Sequence, residues 1–174
     1  MLRRLVLMRH AKSSWKTAAS TDHARPLNAR GRRDAPRIAQ ALRELGWFPA
    51  MVHLSDAQRT QETWALMSSV SAGCPTTTEP TLYLAGLSAI RVVAQSWAPE
   101  ETGPVLVLGH NPGWEQAAST LSGQPITMTT GNAVLLEGQG ASWAEALHDR
   151  WRVRAILRPR TLDSDALHYE RDPA

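Results

Sequence analysis

The stretch that decides the fold reads Pro104-Val105-Leu106-Val107-Leu108-Gly109-His110-Asn111-Pro112. Its first five residues form an apolar run of strand length, which predicts a buried strand over Pro104–Leu108. Proline fits the first position of a helix, so Pro112 predicts a helix directly after the turn, and Gly123 predicts its end. A buried strand that leads into a helix is the repeating unit of an α/β sheet.

The same unit occurs twice nearer the N-terminus. An apolar run over Arg4–Met8 predicts a buried strand that ends in Arg9-His10. A further strand is expected over Ala50–Leu54, and Ser55 or Asp56 is expected to cap the helix that follows it. That helix is predicted from residues at helical spacing, namely Arg59, Thr63, Trp64, Met67 and Val70.

Between these two strands the chain is first polar and then helical in pattern. Residues 11–30 have no clear periodicity, which predicts a long loop, and loops of that length tend to be functional. Pro36 belongs in the first turn of a helix, so we expect the well-formed helix to begin at about Asp34, which can cap it, and to stop at Gly46, while the pattern leaves Arg30–Arg33 unassigned. Its apolar face is formed by Ala35, Ile38, Leu42 and Leu45.

The remaining elements complete one domain. A short extended segment is expected near Thr76–Glu79, and a helix from about Ser88 to Trp97. Asn132–Leu136 and Trp151–Leu157 predict two strands without a helix between them, which would pair as an antiparallel edge. The sequence therefore predicts a single-domain three-layer α/β/α fold with a mostly parallel central sheet and an antiparallel edge strand. This domain spans residues 1–160, and a polar tail follows over residues 161–174.

Composition excludes several classes of protein. The chain has 174 residues, of which 43% are hydrophobic and 20% charged, as in one globular domain. No apolar run is long enough to span a membrane, and the N-terminal run is too short for a secretory signal, so we expect a cytoplasmic protein. Cys74 is the sole cysteine, which excludes an internal disulfide. A net charge of +3 is too small to indicate nucleic-acid binding.

Three predicted strand ends carry residues that suit phosphate chemistry. They are Arg9-His10, the Ser55–Arg59 segment and His110, and sites in open α/β sheets form beyond the carboxyl ends of strands. Two guanidinium groups match a tetrahedral dianion, and helix N-termini add free N–H groups. A neutral imidazole is a competent nucleophile at phosphorus, and neighbouring arginines lower its pKa. The second imidazole can donate a hydrogen bond to the transition state.

Other interpretations of these residues are weaker. Zinc requires three or four ligands, and the partners of the paired histidines are arginines, so no metal is expected. The sequence has no Walker loop, nucleophile elbow or dinucleotide fingerprint, so no nucleotide cofactor is expected. The alternating residues Arg150, Arg152 and Arg154 would either guide an acidic partner or form the solvent-exposed face of an edge strand. The pattern favours the solvent-exposed face. The remaining histidines, expected to be structural or exposed, are His23, His53, His148 and His168.

Three motifs in this order resemble the histidine phosphatase superfamily, also called phosphoglycerate-mutase-like. They are Leu5–Trp15, Leu54–Thr63 and Val107–Asn111. Within the superfamily, the short chain and the segment Arg25-Pro26-Leu27-Asn28, with Gly31 beyond it, are most similar to SixA-type phosphohistidine phosphatases. The resemblance covers roughly residues 2–157.

The resemblance implies a mechanism. His10 would attack phosphorus and become transiently phosphorylated, while Arg9, Arg59 and His110 hold the phosphoryl group and water then hydrolyses phospho-His10. No metal or organic cofactor is implied. Three further residues are candidates for substrate binding by their matching positions: Arg25, Lys16 and Asn111. Asn111 is alternatively a helix cap.

The sequence departs from the family pattern in two places. Ala11 replaces the usual glycine after the Arg-His pair, and the region that carries an acid in many relatives has Tyr83 near that position, with Glu79 four residues earlier. The imidazole that leaves phosphohistidine is far less basic than an alkoxide and needs less help from a general acid. The missing acid therefore favours a phosphoramidate substrate. The chain also has no room for the long insertions of larger relatives, so we expect an open pocket that a protein side chain can enter, with phosphohistidine on a partner protein as the substrate.

Two alternatives stay open at this point. One is a small-molecule phosphomonoesterase with Glu79 as the proton donor, and the other is a phosphate-binding or phosphoprotein-binding module without turnover. Neither a nucleic acid nor a membrane is expected as a partner, and the sequence does not determine the oligomeric state.

Overall fold

The computed structural model describes residues 1–16, 18, 21–69 and 73–162. The strands are β1 (Leu2–Arg9), β2 (Met51–Leu54), β3 (Thr76–Thr78), β4 (Val105–Gly109), β5 (Ala133–Gln139) and β6 (Arg152–Leu157). The helices are α1 (Ala29–Glu44), α2 (Gln58–Ser68), α3 (Leu87–Val93), α4 (Gly113–Ser122) and α5 (Trp143–Ala146), with 3₁₀ turns at Pro80–Leu82 and Ala94–Ser96.

The central sheet has the strand order β3-β2-β4-β1-β5-β6. The four strands from β3 to β1 are parallel, whereas β5 pairs antiparallel with both β1 and β6. Because β5 is antiparallel to both of its neighbours, β6 runs in the same direction as β1. The predicted fold, a mostly parallel sheet with antiparallel pairing at one side, is confirmed.

Helices cover both faces of the sheet because successive side chains of a strand point to opposite sides. In β1, Leu5 and Leu7 belong to a core shared with α3, α4 and α5. Val6 and Met8 belong to a second core shared with α1 and α2. All four side chains are fully buried, as expected for a parallel sheet inside a three-layer domain.

Helix α1 begins earlier than the sequence predicts. Its cap is Asn28, whose side chain accepts a hydrogen bond from the N–H of Gly31 at 2.9 Å, and not Asp34. Pro36 is inside the helix, with an exposed side chain. The helix also lies so close to the backbone of Lys12 that a side chain at position 31 would collide with the Lys12 carbonyl. Glycine at this position therefore allows α1 to pack on the segment that follows β1.

Two further predictions about helices are wrong. Neither Ser55 nor Asp56 caps α2, which begins after Ala57 without a side-chain cap. Helix α5 lies between the last two strands, where none is predicted, and Ser142 and Glu145 form a capping box at its start. The four residues of α5 are too few for a periodic signal, although the capping box is visible in the sequence. Val70 and most of the predicted tail lie outside the described residues.

Arg150, Arg152 and Arg154 do not form a single solvent-exposed face. β6 is an edge strand and Arg152 is exposed, as predicted. The register shifts between Leu135 and Leu136, which places Arg154 in a bulge of β6, so its side chain is covered and lies 3.5 Å from Glu137. In the described part of the chain, no helix combines the length and the apolarity needed to cross a bilayer.

Candidate active site

The ends of β1 and β4 bring two histidines to the first turn of α2. The N–H of His10 donates to the carbonyl of Gly109 at 3.0 Å, which holds the nucleophile candidate beside the strand that ends at His110. The two imidazole rings are 5.3 Å apart between centroids. Arg59 lies between them, with Nε 3.2 Å from His10 Nε2 and Nη2 3.3 Å from His110 Nδ1.

The ring of His10 is held in one orientation. Its Nδ1 lies 2.7 Å from the carbonyl oxygen of Ala11, and because a carbonyl only accepts, Nδ1 carries the proton. The lone pair of Nε2 consequently faces Arg59. The N–H of Ala11 donates to Thr63 Oγ1 at 3.1 Å, and that hydroxyl donates to the carbonyl of Arg59 at 2.6 Å.

The ring of His110 contacts Ser55 on its other side. His110 Nε2 lies 2.8 Å from Ser55 Oγ, and Nδ1 accepts a hydrogen bond from Arg59. A serine hydroxyl can donate or accept, so Ser55 can support either neutral form of the imidazole. In the observed arrangement Nδ1 accepts from Arg59, so Nε2 carries the proton and donates to Ser55; a proton on Nδ1 would require Arg59 to leave this contact and Ser55 to become the donor to Nε2.

Both imidazoles are neutral at neutral pH. Burial lowers the pKa of His10 from 6.5 to about 3, and the charges of Arg59 and Arg9 contribute in the same direction. Burial is also the main cause that lowers the pKa of His110 to about 3, and the charge of Arg59 is the next largest cause. Neutral imidazole keeps the lone pair that a nucleophile requires.

Arg9 supplies a second guanidinium to the cavity. Its Nη1 donates to the carbonyl of Met128 at 3.1 Å, and its Nε is buried without a hydrogen-bond partner among the described residues. Burial lowers the pKa of Arg9 from its ordinary value, although the group stays charged. An incompletely satisfied buried cation of this kind suits an anionic ligand.

Asp22 is a residue of the site that the sequence analysis did not single out. Its Oδ2 accepts from Tyr83 Oη at 2.6 Å and from Arg59 Nη2 at 3.0 Å, and its Oδ1 accepts from Arg25 Nη1 at 2.7 Å. The hydrogen bond from Tyr83, together with those from Arg25 and Arg59, holds the pKa of the Asp22 carboxyl well below its usual range. Because Asp22 lies in a loop without periodicity, no pattern in the sequence indicates these hydrogen bonds.

The three weaker candidates for substrate binding have different positions. Arg25 and Asn111 line the cavity. The N-cap of α4 is Pro112 rather than Asn111, although the side-chain oxygen of Asn111 accepts a hydrogen bond from the N–H of Glu115 in the first turn at 3.3 Å. Lys16 is exposed and is not one of the described side chains that line the cavity, whereas Lys12 is.

The cavity has a volume of about 300 Å³ and an apolar rim. Trp15 and Leu84 both line it, with 76% and 56% of their surface exposed. Trp15 stacks on the guanidinium of Arg25, whose carbon lies 3.3 Å from the ring centroid. Leu84 has a φ of +50°, a conformation that residues other than glycine rarely adopt.

Glu79 and the remaining histidines that the structure describes lie outside this cavity. Glu79 is 3.1 Å from Nδ1 of buried His53, and His23 is 2.9 Å from Asp56. His148 is exposed, and His168 lies outside the described residues. Within the described ranges, no group of three or more His, Cys, Asp or Glu side chains is arranged to hold a metal ion.

Comparisons with known proteins relate the chain to a named family, to a plant protein and to solved structures. A family model described as histidine phosphatase superfamily (branch 1) matches residues 5–83. An uncharacterized chloroplastic protein of Arabidopsis thaliana is 37% identical over 170 residues, which cover 90% of this chain and 78% of that protein. A structure assigned as phosphohistidine phosphatase SixA, from Nakamurella multipartitia, is 28% identical with a TM-score of 0.75, covering 91% of this chain and 97% of that chain. The protein histidine phosphatase SixA complexed with tungstate is 19% identical with a TM-score of 0.77, covering 91% and 99%.

Proposed function

The chain belongs to the histidine phosphatase superfamily, and from this premise we propose that it removes the phosphoryl group from phosphohistidine on a partner protein. It is a hydrolase of SixA type within that superfamily. The observation that supports the proposal is the protonation state of two groups that line the cavity. Its nucleophile candidate is neutral, and the one carboxyl group among its described lining residues, Asp22, is ionised.

An ionised carboxylate cannot protonate a leaving group. Esters of serine or of sugars leave as basic alkoxides and depend on such a proton, whereas the imidazole of phosphohistidine depends on it much less. Glu79, the donor required by the phosphomonoesterase alternative, is held by His53 and does not line the cavity. The site is therefore better matched to a phosphoramidate than to an ester.

The reaction proceeds in two displacements. Nε2 of His10 attacks phosphorus, the P–N bond of the substrate breaks, and its electron pair returns to the substrate imidazole, which takes a proton from solvent. Water then attacks phospho-His10, the electron pair returns to Nε2, and inorganic phosphate leaves. Arg9, Arg59 and His110 stabilise the charge that develops on the phosphoryl oxygens.

The rim of the cavity suits a protein substrate. The exposed side chains of Trp15 and Leu84 at the mouth provide apolar surface that a protein segment can cover. The cytoplasmic location expected from the sequence stays a prediction, and the plant relative is named as chloroplastic.

The proposal is tested with a panel of substrates in one buffer, with and without a chelator. A phosphohistidine protein, a phosphoserine peptide and p-nitrophenyl phosphate are compared by kcat/KM, and rapid quench is used to trap the phosphorylated enzyme. We expect the highest kcat/KM for phosphohistidine, and an acid-labile phosphoryl group on the enzyme that His10→Ala abolishes. A higher kcat/KM for phosphoserine, or unchanged turnover in His10→Ala, would overturn the proposal.

A further inference from the structure

Trp15 keeps one face of its indole ring open to solvent at the mouth of the catalytic cavity. It lines that cavity, and 76% of its surface is exposed. The guanidinium of Arg25 covers one face of the ring, with its carbon 3.3 Å from the ring centroid. A planar ring has two faces, so an exposure of this size means that the second face is open. Tryptophan is on average a highly buried residue, so an open indole face beside a reaction site indicates contact with a ligand.

Arg25 holds the indole in a fixed place. Its guanidinium donates from Nε to the Ser14 carbonyl at 3.0 Å, from Nη2 to Ser13 Oγ at 2.6 Å and from Nη1 to Asp22 Oδ1 at 2.7 Å. The guanidinium attracts the aromatic face that it covers, and its own hydrogen bonds at all three nitrogens prevent it from moving away. The open face of Trp15 therefore lies on a rigid support.

The same contacts relate the indole to the reacting atoms. Asp22 joins Arg25 to Arg59, because its two carboxylate oxygens accept from one guanidinium each. Arg59 Nε in turn lies 3.2 Å from Nε2 of His10. The attacking and leaving groups of phosphoryl transfer lie roughly in line with phosphorus, so the leaving ring is on the side of phosphorus away from buried His10. A protein substrate stays outside the cavity, so its ring lies at the mouth, where Trp15 is exposed.

We propose that the open face of Trp15 stacks on the imidazole ring of the substrate phosphohistidine and makes the enzyme selective for an aromatic leaving group. This inference rests on the proposed function and names the residue that recognises the leaving group. Two aromatic rings in offset contact attract each other beyond the area that they bury, whereas phosphoserine offers no ring. The contact forms before any bond breaks, so it lowers KM and leaves kcat nearly unchanged.

The first test compares two substrates that share the P–N bond and differ in the ring. Free phosphohistidine carries the imidazole, and phosphoramidate carries only an amino group on phosphorus. Trp15→Leu retains an apolar side chain but loses the aromatic face. We expect the ratio of kcat/KM for phosphohistidine to kcat/KM for phosphoramidate to fall by about 5-fold, mainly through a higher KM for phosphohistidine. Trp15→Phe keeps an aromatic face and should stay within about 2-fold of the wild-type ratio.

The second test measures binding without turnover of the ligand. Benzylphosphonate and cyclohexylmethylphosphonate carry the same anionic head group on a flat or a puckered ring, and their inhibition constants are measured against p-nitrophenyl phosphate hydrolysis. We expect Trp15→Leu to weaken benzylphosphonate about 5-fold more than cyclohexylmethylphosphonate, whereas Trp15→Phe should preserve the ratio of the two constants. Val92→Ala changes an exposed apolar side chain outside the cavity and should also preserve it.

The outcomes separate this inference from the proposed function. Each ratio is taken within one variant, so a general loss of active enzyme cancels. If Trp15→Leu leaves either ratio unchanged, or if Trp15→Phe loses as much as Trp15→Leu, stacking by Trp15 is overturned. If neither P–N compound is hydrolysed while the phosphonate ratio changes as expected, the proposed function is wrong and the stacking site stands.

Discussion

Ser55 Oγ lies 2.8 Å from Nε2 of His110, on the side of the ring that faces away from Arg59. This hydroxyl is fully buried, and it also accepts a hydrogen bond from the N–H of Ala57 at 3.2 Å. In the proposed mechanism a phosphoryl oxygen takes the place of His110 as a partner of Arg59, and His110 then needs its proton on Nδ1 to donate to that oxygen. We therefore expect Ser55 to donate to Nε2 at this stage and to act as a positioning residue for His110.

Ser55→Ala should lower kcat by about 10-fold with little change in KM, because one hydrogen bond that orients the imidazole is lost. Steady-state kinetics with a phosphohistidine protein measure the effect. Ser122→Ala is the matched control, since Ser122 donates to the Ala118 carbonyl at the far end of α4. An equal loss of kcat in both variants would show that the effect comes from general destabilisation.

Acid should destabilise the fold through His10 and His110. Both pKa values are about 3 in the folded protein, against 6.5 for the ordinary imidazole. Between pH 6.5 and 3 the unfolded chain therefore binds more protons than the folded one, and the free energy of unfolding falls as the pH falls through this window. His10→Asn should weaken the decline between pH 7 and 5, measured by urea unfolding. His148→Asn, at an exposed position, should decline like the wild type.

Asp22→Asn should tighten the binding of inorganic phosphate by about 10-fold, because a negative charge among the phosphate-binding donors disappears. The inhibition constant of phosphate against p-nitrophenyl phosphate measures the change. Asp56→Asn is the control, because Asp56 pairs with His23 and does not line the catalytic cavity. Weaker phosphate binding in Asp22→Asn would instead show that the carboxylate serves mainly to order Arg25 and Arg59.

Leu84→Ala should raise KM for a phosphohistidine protein by about 5-fold, because apolar contact at the rim is lost on binding. The inhibition constant of inorganic phosphate, which is too small to reach the rim, should not change. Val92→Ala removes a similarly exposed side chain on α3, outside the catalytic cavity, and should leave both values unchanged. If Leu84→Ala also leaves KM unchanged, the rim does not contact the substrate.

The repeated units of a strand followed by a helix could be predicted from the sequence. The apolar runs that became β1, β2 and β4 have strand length, and they end in the residues that approach one another at one edge of the sheet. The start of α1 was mispredicted because Pro36 is usually found in a first turn, and the capping contact of Asn28 outweighs that preference. Local sequence rules describe the commonest position of proline, and they do not show that this helix begins at Ala29, well before Pro36.

The same limit applies to the site. Arg9, His10, Arg59 and His110 follow or adjoin predicted strands, so topology alone brings them together. Asp22 belongs to an irregular loop, and its contacts with Arg59 and Tyr83 join segments far apart in the chain. No periodicity connects such residues, and their meeting is visible only in three dimensions.

Helix α2 contacts both halves of the candidate site. Arg59 comes from its first turn, and one turn later Thr63 Oγ1 accepts from the N–H of Ala11, whose carbonyl fixes the ring of His10. The backbone of His10 is also tied to the sheet, because its N–H donates to the Gly109 carbonyl at the end of β4. The 3.2 Å contact between Arg59 and His10 therefore depends on the seat of α2 against the sheet, so core substitutions that shift this helix should disturb the reacting groups from a distance.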